Sequence, residues 1–157
     1  MIINEIAGDL LKGLIHNEVE SIAHCANCFC TMRSGVAAQI REWYPEACQA
    51  DSKTVRGDQS KMGTFTFAET HGYTIFNIYG QYNFGYDGKQ YLEYDMFRKG
   101  LEGVRNYMII NGIKTLGLPY NIGCARAGGK WEEVYKIIEE TFNKTTLQIN
   151  IYKYDRG

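Results

Sequence analysis

Apolar and polar side chains alternate at residues 2–6, IINEI, which predicts a half-buried strand ending at Gly8-Asp9-Leu10. Residues 19–26, VESIAHCA, read as a buried strand that enters the loop NCFCTMRSG. Val36, Ile40, Trp43 and Tyr44 then fall on one face of an amphipathic helix that begins near Ser34 or Gly35. Pro45 ends or interrupts it. The polar stretch 49–61 predicts a loop. Residues 63–70, GTFTFAET, and 73–80, YTIFNIYG, are rich in β-formers and flank the turn His71-Gly72, which predicts a hairpin. An aromatic loop, YNFGYDGKQ, follows at 82–90. Tyr94, Phe97, Leu101, Val104 and Met108 mark one face of a long helix that Asn111-Gly112 stops. IKTLGLP at 113–119 is a short buried strand. Trp131, Val134, Tyr135, Ile138 and Phe142 mark a last helix, and Leu147, Ile149 and Ile151 a last strand. Strands alternating with helices predict an α/β layer fold with a mostly parallel sheet, which the hairpin makes mixed.

The length of 157 residues argues for one domain over 1–157. A formal net charge of −1 carries no electrostatic footprint for nucleic acid or an anionic membrane. No apolar run is long enough to span a bilayer, and MIINEIAGDLLKG lacks the basic-then-apolar pattern of a signal peptide. The expectation is a soluble, cytoplasmic protein. Five cysteines, an odd number, point to reduced thiols. Cys25, Cys28 and Cys30 raise a zinc reading, but no second Cys/His pair follows at finger-like spacing. We therefore expect free thiols, no metal and no cofactor.

In open α/β sheets ligands bind beyond the C-terminal ends of the strands. Three loops fall at such places: Gly8-Asp9-Leu10, the stretch from His24 through Asn27 to Ala37, and the stretch from Pro119 to Gly129. The last two are rich in small residues and lead into helices. Small residues there make either tight turns or concave nests of backbone N–H groups that bind anions. Two such loops face to face would clamp a diphosphate without basic side chains. Asp9 has two readings, a helix N-cap or an acceptor for an amino group such as that of adenine.

Three stretches together resemble the macro domain family, which binds ADP-ribose. They are GDLL at 8–11, AHCANCFCTMRSGVAAQIREWYPEA at 23–47 and PYNIGCARAGGKWEEV at 119–134. The branch they resemble contains the terminal ADP-ribose–glutamate hydrolases, the yeast ADP-ribose 1″-phosphate phosphatase, and phage and bacterial members. The resemblance implies a three-layer α/β/α fold, and ADP-ribose or a derivative as the partner. It implies that Asp9 meets the adenine amino group, with the Leu10 backbone beside it. Ser34, Gly35, Val36 and Ala37 would face one phosphate and the distal ribose, near Ala26 and Asn27. Gly123, Cys124, Ala125 and Arg126 would wrap the diphosphate from the other side, with Pro119, Tyr120, Asn121 and Ile122 lining the groove.

The glutamate-linked hydrolases of this branch use a lysine after the fourth strand and an aspartate in the last glycine-rich loop. Here the fourth strand leads into Gly80-Gln81-Tyr82-Asn83, and Ala127 stands where the aspartate would fall. Lys89 is nearby in sequence and would serve only by folding back. The His24 loop instead resembles the phosphatase, which implies ADP-ribose 1″-phosphate hydrolysis with His24 and Asn27 as catalytic residues. His24 either activates water or makes structural hydrogen bonds at a strand end. Asp87 and Asp95 would orient it only if their loop closes over the site. An ADP-ribosyl or O-acetyl-ADP-ribose hydrolase and a non-catalytic ADP-ribose reader are the alternatives. A cysteine enzyme is a further one, with the Cys124 pKa lowered near a helix N-terminus. Phe29, Tyr79, Tyr82, Phe84 and Tyr86 either stack on a ligand or pack the core.

Overall fold

The computed structural model describes residues 1–154. The chain runs through β1 (Ile2–Ala7), α1 (Leu10–Ile15), β2 (Ser21–Ala26), α2 (Gly35–Trp43) and α3 (Pro45–Ser52) to a 3-10 turn (Gln59–Lys61). It continues through β3 (Phe65–Thr70), β4 (Tyr73–Tyr79), α4 (Tyr94–Asn111), β5 (Thr115–Pro119), α5 (Trp131–Phe142) and β6 (Gln148–Lys153). The strands form one sheet in the order β1-β6-β5-β2-β4-β3. Only β3 runs antiparallel, paired with β4 through the hairpin at His71-Gly72. The sheet is therefore mixed and mostly parallel, as the sequence predicts.

Side chains alternate across each strand, so the sheet buries two faces. On one face Ile22, Ile75 and Tyr152 pack under Leu10, Leu14, Ile40 and Ala47 of α1, α2 and α3. On the other, Ala23, Phe76, Ile78, Leu116 and Ile149 pack under Leu101 and Val104 of α4 and Val134 and Ile138 of α5. The result is the expected three-layer α/β/α architecture. The apolar stripe of α4 ends at Gly112, whose N–H closes on the Met108 and Ile109 carbonyls.

Two helices lie where the hydrophobic periodicity predicts none. α1 follows directly from Gly8-Asp9, where only the N-cap reading of Asp9 signals a helix, and α3 runs from Pro45 into the start of the polar stretch 49–61. α1 is too short for its periodicity to register against a strand-to-turn pattern. α3 is largely polar, and Pro45 starts it at the first helical position, where the missing N–H has no intrahelical partner to lose.

β2 and β5 are hydrogen-bonded neighbours. From their C-terminal ends the chain departs to α2 on one face and to α5 on the other. This divergence opens a crevice at the strand ends. None of the described helices is long and apolar enough to cross a membrane.

Candidate functional site

A cavity of about 480 Å³ opens at this divergence. Its walls are residues 24–27 and 31–37, from the end of β2 onward, and residues 119–123 and 125–127, from the end of β5 onward. Asp51, Gln81 and residues 84–86 complete them. The two small-residue loops thus face each other across one space.

The loop after β2 is folded by Asn27. Its Oδ1 accepts from the Phe29 N–H at 2.8 Å and its Nδ2 donates to Thr31 Oγ1 at 2.8 Å. Asn27 lines the cavity, but its amide is engaged in holding the loop. Cys30 and Met32 adopt left-handed backbone conformations, at φ 57° and 43°. Such strain persists only where surroundings over-determine it, and it concentrates at functional sites. α2 begins after Ser34 with no side-chain cap, so its first-turn N–H groups are left free at the positive end of the helix dipole.

The loop after β5 turns through Asn121 at φ 63° and Gly123 at φ 72°. Cys124 N–H closes the turn on the Asn121 carbonyl at 2.8 Å. The N–H groups of Gly123, Ala125 and Arg126 take no backbone partner among the described residues. α5 starts only at Trp131, so these unpartnered donors belong to a nest of turns rather than to a helix N-terminus.

His24 sits in the wall, 2% exposed. Its Nε2 lies 2.6 Å from Asn77 Oδ1, and its Nδ1 has no hydrogen-bond partner among the described residues. Burial lowers its pKa, and the Asn77 bond and the Asp51 charge act against that shift. Asp51 is the carboxylate that sequence reasoning missed. It lies on α3, 1% exposed, and lines the same cavity. A local signal existed, since Asp51 follows the buried Ala47 by one helical turn, but the polar stretch around it hid the helix.

Other expected residues fall elsewhere. Asp9 is the N-cap of α1, with Oδ1 accepting from Leu11 N–H at 2.8 Å and Lys12 N–H at 3.3 Å. Leu10 is buried in the core, and neither residue lines the cavity. Cys124 is likewise outside the lining, and burial pushes its thiol up to about 11. This corrects the alternative of an activated cysteine, because desolvation raises the thiol and α5 begins only at Trp131. Lys89 pairs with Asp87 on the surface and does not reach the cavity. Asp87 and Asp95 also lie outside the lining.

The aromatics divide. Tyr79 is core, and Phe29 packs edge-on against Tyr82 at 5.0 Å. Phe84 and Tyr86 line the cavity. Arg126 joins Tyr86 across the mouth, with Nη1 donating to the phenol oxygen at 2.9 Å and the guanidinium 4.5 Å from the ring centroid. The three clustered thiols diverge. Cys25 faces the α4/α5 layer, Cys28 packs with Ala26 and Tyr79, and Cys30 Sγ lies 3.4 Å from Thr54 Oγ1. Among the described residues no three His, Cys, Asp or Glu side chains are grouped to hold a metal ion.

No protein-family model matches the chain. It is 31% identical over 155 residues to an uncharacterized 17.5 kDa protein of Enterobacteria phage T4, covering 95% of this chain and 96% of that one. It is 26% identical over 135 residues to the ADP-ribose glycohydrolase OARD1 of Bos taurus, covering 86% and 82%. Among solved structures it is similar to the macrodomain of Mycobacterium tuberculosis DarG, with TM-score 0.79, 20% identity and coverage of 96% and 97%. The DarTG protein of Thermosipho africanus, solved with ADP-ribose, matches at TM-score 0.74 and 16% identity, over 98% of this chain and 42% of that one.

Proposed function

We propose that this chain, which belongs to the family of the 17.5 kDa phage T4 protein and has the macrodomain fold, binds ADP-ribose and hydrolyses ADP-ribose 1″-phosphate. The observation that carries the reading is the meeting of two sets of free backbone N–H groups across one cavity with His24 in its wall. The diphosphate would lie between the start of α2 and the loop after β5, held by backbone donors without a lysine. The distal ribose would then reach toward residues 24–27. In the reaction a water oxygen bonds to phosphorus as the bond from phosphorus to the 1″ oxygen breaks. The water proton passes through His24 Nδ1, and a proton ends on the departing ribose oxygen. Backbone donors would stabilise the charge that develops on the phosphate.

The named activity of OARD1 favours a second reading, glycohydrolysis of an ADP-ribosyl group. No lysine lines the cavity, and Ala127 lies in its wall where that chemistry needs an aspartate. The phosphate ester is therefore the reading we prefer.

Calorimetric binding of ADP-ribose and phosphate release from ADP-ribose 1″-phosphate, run on wild type and His24→Ala, test it. We expect tight binding in both proteins and a loss of turnover of about 10²-fold or more in the variant, the range of general base catalysis. Release of ADP-ribose from a glutamyl-linked peptide without phosphatase activity would favour the second reading. Binding with neither activity would make the chain a reader. No binding would overturn the site.

A further inference from the structure

A row of polar side chains crosses the sheet beneath α3. His24 on β2, Asn77 on β4 and Thr66 on β3 are register partners. Tyr79, two residues along β4 on the same face, joins them to Asp51 of α3. Each hydrogen bond in this row has a direction that its neighbours dictate.

Asp51 lies at one end, and its carboxylate oxygens accept. Tyr79 therefore donates its O–H to Asp51 Oδ1, at 2.6 Å. With that proton committed, the Tyr79 oxygen accepts from the Thr66 hydroxyl at 3.0 Å. The Thr66 oxygen in turn accepts from Asn77 Nδ2 at 3.0 Å. The other Asn77 amide proton goes to the Ala47 carbonyl, also at 3.0 Å. Rotating the amide by half a turn would set Asn77 Oδ1 against that carbonyl oxygen, two acceptors with no proton between them. The orientation is thus determined by Ala47 and by Thr66 independently. Asn77 Oδ1 is left facing His24 Nε2 at 2.6 Å, and it only accepts. His24 must carry its proton on Nε2.

We propose that this one-way chain, Asp51–Tyr79–Thr66–Asn77–His24, locks His24 as the Nε2–H tautomer, so that Nδ1 is a bare acceptor for the ligand hydroxyl or water in the cavity. The proposal rests on reading that cavity as the ADP-ribose site. Two observations point to a ligand there. Nδ1 is buried with no partner among the described residues, and His24 lines the cavity. Asp51 lines it too, so both ends of the chain reach the same space. Asn77, Thr66 and Tyr79 are positioning residues that act through His24.

Nitrogen-15 NMR of the whole histidine-labelled protein tests the lock directly, because protonated and bare ring nitrogens resonate far apart. We expect His24 to give an N–H signal at Nε2 and a bare signal at Nδ1. Saturating ADP-ribose should shift the Nδ1 signal and leave Nε2 in place. In Asn77→Ala the ring loses the acceptor for its Nε2 proton. The histidine signals should then report both tautomers, and phosphate release should fall by about tenfold or more with ADP-ribose affinity held within about threefold. A proton found on Nδ1 in the wild type would overturn the lock, whether or not the variant folds. ADP-ribose bound by calorimetry with the Nδ1 signal unmoved would overturn the acceptor role alone. Absence of calorimetric binding would instead overturn the ADP-ribose reading and the acceptor role with it, leaving the tautomer to be judged from the free protein.

Discussion

A single aspartate illustrates how one side chain serves two readings. Asp9 caps α1 through Oδ1, a local bond to Leu11 and Lys12 that the order strand, Asp, Leu-Leu already permits. The adenine reading asks the same carboxylate to meet a ligand. The two are separable. Asp9→Ala should lower stability by about 1 kcal/mol in a denaturant melt, the usual worth of an N-cap. Asp9→Ser should restore the cap and most of that stability. If the Ser variant also binds ADP-ribose within about threefold of wild type, Asp9 is a cap alone. A larger drop with stability retained would assign the carboxylate to the ligand. His24 is the contrasting residue. Its type and its place at a strand end are legible in the sequence, but the proton position that defines its chemistry depends on Asn77, 53 residues further along the chain.

At the scale of elements, the loop after β5 is held from below by the segment that leads into α4. Tyr91 and Leu92 N–H groups both bond the Ala127 carbonyl, at 2.7 and 2.9 Å. Gly128 follows at φ 75°, and a Cβ there would stand 2.7 Å from the Lys89 carbonyl oxygen. Both the backbone conformation and the space exclude a side chain. Gly128→Ala should therefore destabilise the protein by more than about 1 kcal/mol. It should also speed amide exchange at Tyr91 and Leu92 ahead of the α5 core. Exchange unchanged at those two amides would show that the strap does not depend on Gly128. The small-residue run was legible as a close approach of backbone. What it approaches was not, because residues 89–90 are distant in sequence and carry no matching signal.

The whole molecule carries a pH signature of the buried histidine. The folded pKa of His24 lies below the unfolded value of 6.5, chiefly through burial, with Asn77 and Asp51 opposing. The unfolded state therefore binds the proton first, and stability falls as pH drops below 6.5 toward the folded pKa. Above 6.5 the ring is neutral in both states and the effect is absent. Denaturant melts at pH 7.5 and 5.5 should show a loss in wild type that is reduced in His24→Gln. Equal losses in the two proteins would place the titration elsewhere.

Periodicity, turn residues and the glycine stop after α4 are written within a few positions of one another. From them the chain itself determined the sheet-and-helix order, the hairpin, the two long helices and both small-residue loops. Contacts between distant segments were decided only by the tertiary structure. They set Asp51 of an unforeseen helix beside the His24 cavity, partly desolvate the Cys124 thiol and join Arg126 to Tyr86. Local sequence encodes backbone preference, whereas proton position, acidity and the sharing of one cavity wall depend on which side chains the packed layers bring together.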